Sequence, residues 1–400
     1  MHDSSSKQTI LSVALIGVSG YGRVHLRVLE SLQAEGRVTL AAATVINRNE
    51  EEELCQQLES QGCKIFRDYR EMLSEMGDVL DLCCIPTGIS WHKPMTIDAL
   101  EAGCHVLVEK PAAGTVEEVD AMIAAQERTG KYVFVGFQDT YAESVRSTKS
   151  EILAGKIGTV KEIRTIASWP RSQKYYERNN WAGRITSGGK KVYDSPANNA
   201  LAHYLMASLY FAGTAEDGAA RATTVEAELY RASSIESFDT ISAKITTNTG
   251  VEIDFSVTHK GIETIHPIVE IVGTEGSVRW EIDHHFTFMP EGREVPCAAG
   301  DSSRHEMFQL VLESIETGVQ KGCSLQMARE HTRVIESLHE NVPILDIDPQ
   351  YVFDCEFDGG PHKHVDGIED AVRKVLGEGG LFSELDIPWA KQSTAYEVSL

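Results

Sequence analysis

The 400-residue sequence predicts an α/β fold class, with a doubly wound parallel sheet followed by an α+β domain on a large, open, mostly antiparallel sheet. Three observations carry this expectation. Short apolar strands alternate with helical stretches over residues 1–137, as in a right-handed parallel sheet. A glycine cluster breaks the first of those strand-to-helix steps. From residue 138 onward, strand signals follow one another through short Gly or Asn turns, which favours antiparallel pairing.

Taken in order, "SVALIGVSGYGRVHLRVLESL" starts as an apolar strand and breaks at Gly17, Gly20 and Gly22. It resumes with Val24, Val28, Leu29 and Leu32 at helical spacing. Strand, tight turn and helix is the context in which a dinucleotide binds, because N–H groups at the helix N-terminus and the helix dipole both favour phosphate. The loop spans Gly17, Ser19, Gly20, Tyr21 and Gly22, with Ser19 where the G-x-G-x-x-G fingerprint has its second glycine. That side chain either crowds the pyrophosphate or bonds to it. "VTLAAATVINR", "DVLDLCCIP", "HVLVEKP" and "YVFVGFQ" supply further strands, the last ending near Gln138.

The second strand ends in Asn47 and Arg48, where an acid would usually hold the adenosine ribose. A neutral residue followed by Arg suits a 2′-phosphate, so NADP is slightly favoured over NAD. The four acids Glu50 to Glu53 oppose that reading.

In the second half, strands are expected at "GTVKEIRTIASW", "TTVEAELYR", "DTISAKITTNTG", "VEIDFSVTHK" and "PIVEIVGTEGSVRWEI". Between the first two lies "WPRSQKYYERNNWAGR". Aromatic faces beside hydrogen-bonding groups suit a sugar ring, which makes Arg171, Tyr175, Tyr176, Arg178, Asn180 and Trp181 candidate substrate contacts. A structured surface loop is the plainer alternative. In "GGKKVYDSPANNALAHYL", Ser195 and Pro196 read as N-cap and first residue of a helix continuing through Leu205, with Asp194 just outside it. Helices are also expected at "RHEMFQLVLESIETG" and "SLQMAREHTRVIESLHENV". The resulting division is 1–137, a dinucleotide-binding domain; 138–345, a substrate and oligomerisation domain; and 346–400, a C-terminal extension packed on both.

A net charge of −23 disfavours a nucleic-acid or anionic-membrane partner. The eight cysteines lack zinc or redox spacing and read as reduced thiols, and His362 with His364 reads as a plain loop, so no metal is expected. Residues 1–10 carry no apolar leader and no run is long enough to span a membrane, which points to the cytoplasm.

The glycine loop, "IPTGISWH", "EKP" and "VGFQDTY", at these spacings, together resemble the Gfo/Idh/MocA family, the glucose-fructose oxidoreductase and inositol dehydrogenase relatives, over about residues 10 to 350. The resemblance implies a Rossmann domain plus a mixed α/β domain, and oxidation or reduction of sugars and polyols with NAD(P). It implies that Lys110 is the active-site lysine, that Pro111 fixes the turn and that Glu109 holds the loop. His92 would lie along the nicotinamide side, with Pro86, Thr87 and Gln138 also at the cofactor. The family's D-x-x-x-H segment is matched at Asp194, but the His position holds Asn198.

A carboxamide cannot accept a hydroxyl proton as imidazole does. Lys110 is therefore the expected acid or base and Tyr193 a weaker one, with Asp194 and Asn198 orienting the substrate and His203 as a further contact. The expected function is NAD(P)-dependent hydride transfer to or from a carbohydrate, in a homodimer or homotetramer formed through the open sheet. Two alternatives stay open: an NAD-dependent redox-assisted glycoside hydrolase or lyase, and a sugar-binding protein without catalysis.

Overall fold

The computed structural model describes residues 9–282, 284–297 and 301–398. The N-terminal stretch 1–10, where no leader is expected, lies mostly outside them. The chain divides into two compact units.

The first unit comprises residues up to Ala113, Glu117–Gly136 and Arg304–Leu325. Its strands are β1 (Leu11–Ile16), β2 (Val38–Thr44), β3 (Lys64–Phe66), β4 (Leu82–Ile85), β5 (His105–Val108) and β6 (Val133–Val135). They form one parallel sheet in the order β3-β2-β1-β4-β5-β6. Strands sheathed on both faces must be apolar throughout, and Val13, Leu15, Cys83, Cys84, Val106 and Leu107 are all fully buried. The connecting helices are α1 (Gly22–Ala34), α2 (Glu52–Ser60), α3 (Tyr69–Met76), α4 (Ile89–Glu101) and α5 (Val116–Thr129). The order reverses between β1 and β4, so a ligand crevice is expected beyond the carboxyl ends of these two strands.

Residues 304–325 belong to this unit, whereas the sequence boundaries placed them in the second domain. Phe308 is the reason: it is buried and its ring lies 5.2 Å from that of His25 on α1. The returning chain also covers the edge of β6, where Val135 N donates to Cys323 O at 2.9 Å. A paired edge is protected from further strand addition.

The second unit begins with α6 (Glu143–Leu153), β7 (Val160–Ser168) and α7 (Gln173–Glu177). A small hairpin of β8 (Thr186–Ser187) and β9 (Lys190–Lys191) precedes α8 (Ala202–Ala212). Then come β10 (Ala222–Arg231), β11 (Thr240–Thr247), β12 (Glu252–Thr258), β13 (Ile265–Gly273), β14 (Ser277–Glu281), β15 (His285–Met289) and β16 (Arg293–Pro296). The chain continues through α9 (Asp301–Thr317), whose larger part belongs to the first unit, and α10 (Leu325–Asn341) to β17 (Ile344–Asp346), β18 (Val352–Phe357), β19 (Gly360–Val365), α11 (Ile368–Glu378) and β20 (Tyr396–Glu397). Ten strands make one sheet, running β16-β15-β14-β13-β7-β12-β11-β10-β17 with β20 also on β10. Pairing is antiparallel except between β7 and β12 and between β10 and β17.

One face of this sheet carries α8. The helix sequence AHYLMASLYFA is apolar nearly all round and correspondingly buried, and Ser208 Oγ lies 2.7 Å from Thr165 Oγ1 on β7. Lys149 caps the carboxyl end of α8 through Tyr210 O at 2.6 Å, and burial pushes its ammonium down to about 7. The other face carries residues 347–390. Ile368, Val372 and Val375 of α11, with Phe382, Ile387 and Trp389, pack on Ile166, Tyr230 and Ile265.

The helix expected from Pro196 to Leu205 is instead a run of turns over 196–201, and α8 starts at Ala202. The Ser195-Pro196 start signal is overridden by side-chain bonds to the backbone, described below. His362 bridges two carbonyls, Arg171 O at 3.0 Å and Gly261 O at 2.7 Å. The described residues hold no group of three or more potential metal ligands and no helix long and apolar enough to cross a membrane. None of the eight cysteines is in a disulfide.

Candidate functional site

In the first unit, Gly17 and Gly20 take φ of +93° and +57°, conformations that a side chain disfavours. Gly22 is required for space: an added Cβ would stand 2.2 Å from Gly17 O. Helix α1 starts there with Tyr21 at the N-cap and no side-chain cap; the N–H groups of Gly22, Arg23 and Val24 bond back to the loop carbonyls of Ser19, Gly20 and Tyr21 at 3.0, 3.2 and 2.9 Å, so what this end offers an anion is the positive pole of the helix dipole. Ser19 does not point its hydroxyl along the loop, because Oγ donates to Glu51 Oε1 at 2.9 Å, and Arg23 pairs with the same carboxylate. We expect Gly22→Ala to weaken dinucleotide binding by about tenfold or more, since the backbone must shift by a distance that costs about 1–3 kcal/mol. Calorimetric titration checks this, and an unchanged Kd refutes it.

Gly17, Ser19, Asn47, Pro86 and Thr87 line one cavity of about 520 Å³ at the carboxyl ends of β1, β2 and β4. Sequence reasoning missed its other walls, residues Arg67 to Arg70 running from β3 into the first turn of α3, and Trp91 on α4. Arg70 is paired with Asp98 at 3.3 Å and stacks on Tyr69, whereas Arg67 has no ion pair among the described residues. Arg48 is absent from this wall. Its guanidinium forks onto Glu59 through two bonds of 2.8 Å, which withdraws the feature that favoured a 2′-phosphate.

The segment after β5 is anchored on every side. Glu109 is buried and its Oε1 lies 2.8 Å from His25 Nε2, while Oε2 accepts from Lys110 N at 3.1 Å. Burial pushes this carboxyl up, but the His25 bond and charge, followed by Lys110, carry it below the usual carboxylate range. Glycine is needed at 136, where a Cβ would meet Glu109 Oε1 at 2.7 Å. The Lys110–Pro111 bond is cis. His92, expected along the nicotinamide side, has both ring nitrogens at backbone carbonyls: Nδ1 lies 2.8 Å from Pro111 O and Nε2 3.0 Å from Thr87 O. It braces the two turns together. Gln138 opens a 3-10 turn belonging to the second unit.

In the second unit, Asp194 is 2% exposed and accepts from Gly183 N at 2.6 Å and Asn199 Nδ2 at 2.8 Å. Asn198 Nδ2 donates to Val192 O at 3.1 Å and Tyr193 O at 3.2 Å. Both of its N–H groups are thereby taken up in holding the backbone before Asp194, so Asn198 braces this turn and the atom it could offer a substrate hydroxyl is Oδ1. Tyr193, at φ +45°, is fully buried on His339, with ring centroids 4.5 Å apart. Burial first, then Glu340, push its hydroxyl above the ordinary range, and that hydroxyl points to Glu340 Oε1 at 3.5 Å. His339 is itself pushed down to about 4 by burial. His203 lies on α8 with its ring edge on Phe137 at 5.7 Å and Nδ1 3.9 Å from Asp139.

Of the aromatic loop, Tyr176 is buried, its OH 3.2 Å from His259 Nδ1. Tyr175 is the ring that other groups gather on: Arg178 lies 3.7 Å and Arg171 5.2 Å from its centroid. Arg178 also stacks on Trp181 at 5.2 Å, and Asn180 is exposed.

Residues 11–137 match the model of the Gfo/Idh/MocA oxidoreductases, an oxidoreductase family with an NAD-binding Rossmann fold. A 1-carboxy-3-chloro-3,4-dihydroxycyclohexa-1,5-diene dehydrogenase of Comamonas testosteroni is 30% identical over 159 residues, 38% of this chain and 37% of that protein. An α-N-acetylgalactosaminidase of Shewanella oneidensis is 31% identical over 121 residues, 28% and 25% of the two chains. The matched part thus spans about a quarter to about a third of these curated relatives. Among solved structures, a levoglucosan dehydrogenase in complex with NADH aligns with TM-score 0.69 at 18% identity, covering 83% of this chain and 96% of that one. The WlbA dehydrogenase of Bordetella pertussis, in complex with NADH and UDP-GlcNAcA, aligns at 0.67 and 19%, with the same coverage of 83% and 96%. These two likenesses are of fold.

Proposed function

Because the chain belongs, through residues 11–137, to the Gfo/Idh/MocA oxidoreductase family, we propose that it transfers a hydride between NAD and a carbinol or carbonyl carbon of a carbohydrate or polyol. The observation that carries this is the glycine loop at the start of α1, opening on a cavity of about 520 Å³ at the sheet's switch point. The residues fit the cofactor: Gly22 lets the start of α1 pack directly on Gly17, and the positive end of the α1 dipole stands at the glycine loop where a pyrophosphate would bind. When bound, the nicotinamide supplies the two-electron acceptor or donor. The chain supplies the rest. In oxidation Lys110 takes the hydroxyl proton as the hydride leaves carbon, and releases it to solvent; in reduction it donates that proton. Glu109, held by His25, and Pro111, held by His92, keep the backbone on either side of Lys110 in place.

NAD is the cofactor we favour over NADP, since Arg48 is engaged by Glu59 and the acids Glu50 to Glu53 follow it closely. A carbohydrate substrate is supported by the aromatic and guanidinium groups around Tyr175, and by the sugar-type ligands named for the levoglucosan and WlbA dehydrogenases.

Likeness to an α-N-acetylgalactosaminidase favours a second reading, in which tightly held NAD oxidises a sugar transiently and permits elimination. Extraction of the purified protein and mass spectrometry, followed by absorbance in the nicotinamide band with a panel of sugars and inositols, separates the two. Net NADH formation is expected. Retained NAD with glycoside cleavage and no net NADH would replace the first reading with the second. Failure to bind either dinucleotide would sink both.

A further inference from the structure

Arginines in this acidic chain are mostly paired: Arg23 with Glu51, Arg146 with Asp217, Arg164 with Glu162, Arg184 with Glu236 and Arg231 with Asp346. Arg171 and Arg178 are exceptions. Among the described residues neither has a carboxylate at ion-pair distance, yet both are gathered on the Tyr175 ring, at 5.2 and 3.7 Å. Their donors are only partly used, Arg171 Nη1 on Pro170 O at 3.1 Å and Arg178 on Tyr175 O. Behind them the buried Lys260 donates to Arg171 O at 3.3 Å and lies 5.4 Å from the Tyr176 ring centroid. Between these groups sits His259, 1% exposed and with no hydrogen-bond partner at Nε2. Burial first, then Arg171, Lys260 and Arg178, hold it in its neutral form, which marks the local field as positive.

Three acids stand near this corner, and two are already in use. Asp194 is bound by Gly183 and Asn199, and Asp239 by Ala232 N, Ser233 N and Thr240. The third, Asp358, lines a cavity of about 390 Å³ with Arg171, Lys174 and Tyr175. Guanidinium groups brought to one ring repel each other, and the planar fork of each matches a carboxylate or a phosphate.

From this we infer that the Arg171–Tyr175–Arg178 corner binds the anionic substituent, a carboxylate or a phosphate, of an acidic carbohydrate. The inference rests on the second unit being the carbohydrate-binding part, and narrows the substrate class to uronates or sugar phosphates. Arg171 and Arg178 are then specificity residues, with no part in the proton transfer assigned to Lys110.

Calorimetric titration of the intact protein, loaded with NAD, with glucuronate, glucose 6-phosphate and glucose tests this without turnover. At least one anionic sugar should bind about ten or more times as tightly as glucose at low salt, with the preference shrinking as salt is raised. Whichever anionic sugar binds more tightly distinguishes carboxylate from phosphate. The double variant Arg171→Gln/Arg178→Gln should lose the preference while keeping its melting temperature, and Arg171→Lys/Arg178→Lys should restore part of it. Equal binding of glucose and both anions, no binding of either anion, or a preference that survives the Gln double variant would each overturn the inference. Since only binding is measured, a protein that bound the acidic sugar yet formed no NADH would fail the proposed redox function and leave this site standing.

Discussion

Lys110→Met should lower turnover of the true alcohol by about 10²–10⁴-fold, the usual contribution of a positioned general acid or base. The substitution preserves the length and much of the volume of the side chain while removing its only ionisable group. Two anchors of the surrounding backbone do not involve that group. Glu109 accepts from the main-chain nitrogen of residue 110 and is held independently by His25, and the Pro111 carbonyl is held by His92. Upstream, Val106, Leu107 and Val108 are fully buried in β5. The thioether side chain of the variant should therefore sit on an unchanged scaffold, with NAD affinity and melting temperature near wild type. A kcat within about threefold of wild type, measured in single turnover so that product release does not mask chemistry, removes Lys110 from the reaction. Lys110→Arg is the sharper control. It keeps the positive charge, but a guanidinium does not give up a proton near neutrality, so loss of activity in both variants assigns proton transfer and not charge alone.

The parallel sheet was legible because its strands are covered on both faces and therefore read as unbroken apolar runs, and because glycines 17, 20 and 22 mark the turn into α1. Strand β3 escaped notice since Lys64–Phe66 is short and partly exposed, with no periodicity to detect. What the sequence could not show were partners far along the chain. Arg48 looked free for a phosphate until Glu59 was found on it. Tyr176 looked like a sugar contact, but His259, 83 residues away, draws it inward. The Ser195-Pro196 pair is a sound helix-start signal, yet Asn198 bonding to Val192 O and Tyr193 O holds this stretch in turns. Local signals were read correctly there and lost to side-chain bonds that only the folded loop brings together.

Removing residues 347–398 should turn a well-behaved protein into one that self-associates or fails to stay soluble. This segment has no sheet of its own beyond the β18–β19 hairpin, and the far face of the ten-stranded sheet is where its apolar residues go. Its removal would uncover Ile166, Tyr230 and Ile265 together, an apolar patch of the kind that drives association. Polar groups would lose partners at the same time. Arg164 would lose the carbonyls of Leu376 and Gly377, at 3.1 and 2.9 Å. Glu228 would lose Ser383, and Asp254 the Gly380 N–H at 3.0 Å. A milder test is Trp389→Ala. The ring is 4% exposed, edge-on to Tyr230 at 5.2 Å and Phe382 at 5.3 Å, and its Nε1 donates to Asp366 O at 3.1 Å. Loss of a buried Trp of this sort costs about 3–5 kcal/mol, readable as a shift in the denaturant midpoint. The same packing bears on the homodimer or homotetramer expected through the open sheet: the region over β7, β10 and β13 is already occupied by the chain itself, so a second copy would have to use other strands. Sedimentation of the intact and truncated chains decides this. An unchanged mass and melting temperature after truncation would show that the segment is not the cover for which its contacts argue.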